Sequence, residues 1–88
     1  MSHVRVFNAL REGVRVLRTL PNRNEVKERF IRLLQEYIDE QIKYAPSHAE
    51  IRIYIPVRGG KVVVFKDLAR VCEEDEEVFM WLWMLLQS

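Results

Sequence analysis

The 88 residues include one cysteine, two histidines, three glycines and three prolines, so the types that most often build metal sites and catalytic centres are nearly missing. Cys72 has no second cysteine to join, which excludes an intrachain disulfide and a cysteine-rich metal site. A single thiol suits a reducing compartment, and a cytoplasmic location is the expectation. His3 lies near the start and His48 in a linker beside Pro46, far from any pairing the sequence can predict. No phosphate loop, no His-Glu metal pattern and no nucleophile motif occurs, so an enzyme is not expected and no cofactor is implied. No stretch reaches the ~18 apolar residues of a membrane span. The opening Met1-Ser2-His3-Val4-Arg5 alternates charge with apolar residues, unlike a secretory signal.

What is present is a globular balance. Apolar residues make up 49% and charged residues 31%, which is too hydrophobic for a disordered chain. The length fits a single domain spanning 1–88 whose core is modest. The net charge of +1 gives no global attraction to nucleic acid or anionic lipid, but it is unevenly spread. Residues 1–32 carry eight basic and three acidic groups, whereas residues 33–88 carry six basic and ten acidic. Two such halves attract each other within a fold or between copies. Ten of the fourteen basic residues are Arg, and Ser, Thr, Asn and Gln are few, a composition in keeping with a thermophilic source.

Periodicity sets the element order. Over residues 3–20, Val6, Phe7, Leu10, Val14, Leu17 and Leu20 share one helical sector, with Gly13 among them, and Arg11, Arg15 and Arg18 lie opposite. Pro21 breaks this helix, and Asn22 with Glu25 forms a capping-box-like start for a second one over Arg23–Tyr44. The short connection predicts an antiparallel helical hairpin. Ala45-Pro46-Ser47-His48 reads as a linker. Ile51-Arg52-Ile53-Tyr54-Ile55-Pro56-Val57 alternates strictly and predicts a strand, with Ile51, Ile53, Ile55 and Val57 facing the core and Pro56 at an edge or outside the pairing. Arg58-Gly59-Gly60-Lys61 predicts a tight turn, and Val62–Phe65 the return strand. Asp67 is the expected cap of a final helical stretch over 68–87, which is either continuous or broken and recapped at Asp75. The class is therefore α+β in the order α-α-β-β-α: a helical hairpin, a two-stranded β-hairpin, and a C-terminal apolar helix.

That last helix holds the most informative run. Nothing polar interrupts Val78–Leu86. An all-round apolar helix must be buried all round, either at the centre of the fold or partly against another chain. Trp81 and Trp83 point ~160° apart on a helix, so no single flat contact buries both. The preceding Glu73-Glu74-Asp75-Glu76-Glu77 argues against an anionic membrane surface and complements a helix N-terminus. It lacks the ligand alternation and central Gly of a calcium loop.

Two functional expectations follow. The first is a small non-enzymatic protein–protein interaction module, a homodimer or small subunit of a complex, associating through Phe79, Met80, Trp81, Trp83 and Met84. The alternative is a dimeric nucleic-acid-binding protein, winged-helix-like or architectural. It would use Arg11, Arg15, Arg18, Arg23, Arg58 and Lys61, with the Arg58–Lys61 hairpin as a wing. A helix-turn-helix over residues 67–82 fits less well, because its turn is acidic and its second helix offers aromatics in place of base-reading side chains. Neither a membrane nor a small-molecule substrate is indicated.

Overall fold

A computed structural model describes the backbone over residues 2–87 and side chains over residues 10–87. The helix α1 spans Ser2–Leu17. Leu10, Val14 and Leu17 are its buried side chains, while the expected core positions Val6 and Phe7 lie outside the described side chains. Its last turn tightens through bonds from the amides of Arg18, Thr19 and Leu20 to carbonyls three residues back, and Thr19 Oγ1 donates to the Val16 carbonyl. Those bonds satisfy carbonyls that the helix end leaves open.

The helix α2 spans Arg23–Tyr44, and the Asn22 side chain accepts from the Glu25 amide at 3.1 Å, as the spacing predicts. The Glu25 carboxylate turns outward to Arg29. The pairs Gly13 with Leu33, and Leu10 with Tyr37 around one cleft, run α1 and α2 antiparallel. A methyl group at Gly13 would sit 3.0 Å from Leu33 Cδ2, so the small residue permits the close crossing. Phe30, Leu34 and Ile38 form the buried stripe of α2.

The linker carries a short 3-10 turn over Pro46–Glu50 that the pattern does not signal. The first strand is shorter than expected and the second starts one residue earlier: β1 covers Arg52–Ile55 and β2 covers Lys61–Val64, paired antiparallel with Ile53 opposite Val63 and Ile55 opposite Lys61. Pro56 ends β1 because it has no N–H to give the ladder. The chain then turns through a Val57 amide bond to Ile55 and a Gly60 amide bond to Val57. The turn is thus a five-residue loop over 56–60, not a tight one, and Arg58 (φ 43°) joins Gly59 (84°) and Gly60 (98°) in positive φ. Ile53, Ile55 and Val63 face inward, and Ile51 and Val57, beyond the strand, are half-buried. Phe65 leaves the strand at once. It opens a 3-10 turn over Phe65–Asp67 and points into the core.

That turn corrects the expected Asp67 cap. The Leu68 amide bonds the Phe65 carbonyl, and the Asp67 carboxylate lies beside Arg70 at 3.7 Å and makes no cap bond. The C-terminal stretch is two helices, α3 over Leu68–Glu74 and α4 over Glu76–Gln87. Asp75 is extended (φ −122°, ψ 106°), and its Oδ1 accepts from the amides of Glu77 and Val78 at 3.0 and 3.3 Å. The carboxylate therefore replaces the backbone partners that the break removes. One apolar cluster draws on all four helices and both strands, and among the described residues it encloses no buried polar or charged side chain. The rings of Phe30, Phe79 and Trp83 lie edge to face at its α2–α4 junction, at 5.4 and 5.7 Å from Phe30.

Candidate interaction surfaces

The acidic stretch around Asp75 is a collection point for cations from distant parts of the chain. Lys61 Nζ, from the hairpin, reaches Asp75 Oδ2 at 2.6 Å, and Arg58 Nε reaches Glu77 Oε1 at 2.7 Å. From the first turns of α2, Lys27 Nζ meets Glu76 Oε1 at 2.6 Å and Arg23 approaches Glu76 Oε2 at 3.4 Å. The Lys61 ammonium holds the Asp75 carboxyl below its ordinary value, helped by the Val78 and Glu77 amides. Lys27, then Arg23, does the same for Glu76. This brings the basic N-terminal part and the acidic C-terminal part together within one chain.

The same pairs change what the six basic candidates can do. Arg23, Arg58 and Lys61 are each engaged by a carboxylate of their own chain, although Arg58 remains 81% exposed. Arg11 is half-buried, with Nε shielded from solvent and without a hydrogen-bond partner. Arg15 on α1 and Arg18 just past its end stand exposed and take part in no ion pair among the described residues. Of the six, Arg23, Arg58 and Lys61 converge on the consecutive residues Asp75, Glu76 and Glu77, whereas Arg11 and Arg15 lie on α1 and Arg18 just past its end.

The apolar run divides by direction. Val78, Phe79, Leu82 and Leu86 are buried in the chain's own core. On one flank, Met80 and Trp83 are half-buried beside the α1–α2 connection. On the other, Trp81, Met84 and Leu85 share a side at i, i+3 and i+4; Trp81 is half-buried, Met84 63% exposed and Leu85 37% exposed. The five expected interface residues therefore fall in three places: Phe79 inside, Met80 and Trp83 at a cleft, Trp81 and Met84 outside. Leu85 was not among the expected residues, though its spacing of four from Trp81 carries the signal.

The cleft lies where α1, the 18–22 connection, α2 and α4 meet. Leu17, Leu20, Pro21, Val26, Phe79, Met80 and Trp83 line about 240 Å³, with Arg18 and Arg23 among the lining groups. Arg23 donates to Met80 Sδ at 2.9 Å, and Lys27 Nζ lies 5.2 Å from the centre of the Phe79 ring.

Cys72 is fully buried, and burial pushes its thiol up to about 12, so the thiolate needed for nucleophilic chemistry does not form near neutrality. Among the described residues, no three His, Cys, Asp or Glu side chains gather as a metal site would require, and no helix is long and apolar enough to cross a membrane. Comparison with protein-family models, curated proteins and solved structures yields no match to this chain.

Proposed function

We propose that this chain is a protein–protein association module that pairs with a second copy of itself through the outer side of α4. The observation behind the reading is a stripe in which Met84 and Leu85 are exposed beside the half-buried Trp81, on a helix whose opposite side is core. Tryptophan and methionine are enriched at association sites, and a helix stripe related by a two-fold axis is complementary to itself. Antiparallel pairing would set the acidic start of one α4 away from that of its partner. The test is sedimentation equilibrium at tens of micromolar with the unaltered chain and with Met84→Glu. A dimer that dissociates in the variant supports the reading. A unaltered chain that stays monomeric, or a dimer insensitive to Met84→Glu, removes it.

The nucleic-acid reading is weakened because Arg58 and Lys61 already hold carboxylates of the chain at 2.7 and 2.6 Å. What favours it is the exposed pair Arg15 and Arg18. A gel shift at low salt decides: binding lost on Arg15→Glu would revive it, and no shift with DNA or RNA would end it.

A further inference from the structure

We infer that the cleft between α1, α2 and α4 receives one apolar side chain presented by an acidic segment of a partner protein. This site is separate from the α4 stripe and does not depend on it. Size selects the kind of occupant. About 240 Å³ falls below the ~300 Å³ at which pockets for drug-sized ligands begin, but is ample for a single leucine or phenylalanine side chain. The lining suits such an anchor: Leu20, Val26 and Trp83 give apolar walls, and the Met80 thioether adapts its shape to what enters.

Charge selects the flanking residues. Arg18 and Arg23 contribute to the cleft's lining, and the Arg23 side chain is 70% exposed. Glu76 is the carboxylate nearest to Arg23, and its short bond of 2.6 Å goes to Lys27, leaving Arg23 the longer approach of 3.4 Å. A guanidinium has five N–H donors, so Arg23 keeps donors for an incoming carboxylate. Among the groups that line the cleft, Arg18 and Arg23 are the charged ones and neither Asp nor Glu is present. A carboxylate on each side of the anchor complements that excess. A nucleobase fits less well, because the Phe79 ring is only 3% exposed and gives no open face for stacking.

The test is a titration followed by amide and indole NMR shifts, using a synthetic peptide with one leucine flanked by glutamates. Two control peptides replace the leucine by alanine or the glutamates by lysines. The leucine–glutamate peptide is expected to shift Leu20, Met80 and Trp83, and the alanine control to bind about tenfold more weakly. The double variant Arg18→Glu and Arg23→Glu is expected to lose the glutamate peptide by about tenfold and gain the lysine peptide. Circular dichroism checks that this variant stays folded, and Met84→Glu should leave the titration unchanged. The inference is overturned by no binding at millimolar peptide, by shifts centred on Trp81 and Met84, by equal binding of both charge types, or by an oligothymidine that competes for the cleft.

Discussion

The two ends of α4 meet their surroundings differently. At its start, Asp75, Glu76 and Glu77 find four cations from α2 and the hairpin, and Asp75 also caps the helix. Toward its far end, Met84 and Leu85 remain at the surface while Leu82 and Leu86 one turn away are sealed. Charged groups on long side chains reach across several ångströms to neutralise one another, so distant elements can satisfy the acidic start. Apolar surface is satisfied only by close contact, and the packing leaves Met84 63% and Leu85 37% exposed.

The largest expected effect comes from the shared side. Phe30→Ala removes the ring against which Phe79 and Trp83 pack, and a loss of about 3–5 kcal/mol is expected in a denaturant titration. Out of a total near ~5–15 kcal/mol, that brings the chain close to unfolding. If the far end of α4 were held mainly by a partner, dilution would change that loss.

Next comes the loop that delivers Arg58 and Lys61. Gly60→Ala places a methyl group 2.6 Å from Tyr54 Oη at a φ of 98°. The exposed Tyr54 ring can swing aside, so the persistent cost is backbone strain, about 1 kcal/mol or more by thermal denaturation. Combining it with Tyr54→Ala should leave most of that cost in place.

Acid should weaken the acidic end selectively. The Asp75 and Glu76 carboxyls titrate lower in the fold than in the unfolded chain. Their contribution is therefore present above the ordinary carboxylate range near pH ~4 and is lost as pH falls through the folded values. Asp75→Asn should flatten that part of the stability–pH profile, measured as thermal midpoint against pH.

The smallest effect is expected for Met84→Ala under monomeric conditions, within about 0.5 kcal/mol in denaturant. The same change should weaken self-association, which separates a surface role from a core role for that side of α4.

Element order was legible because α1 and α2 repeat at helical spacing and residues 51–55 alternate. The cap at Asn22 was legible because a side-chain acceptor stands three residues before Glu25. The 3-10 turns were not, since three to five residues carry no periodicity. Nor was the buried side of α4: with no polar residue among Val78–Leu86, nothing local says which way it faces, and packing decides. The ion pairs at Asp75 and Glu76 were hidden for another reason. Their partners lie 14 to 53 positions away, so only the fold brings them together.

Cys72 turns the sealed centre into its own timer. A thiol that is both inaccessible and protonated is not alkylated until the packing around α3 opens, so its labelling rate at neutral pH reports the fraction of time that packing is open. Because it is the chain's sole cysteine, that readout needs no engineered probe.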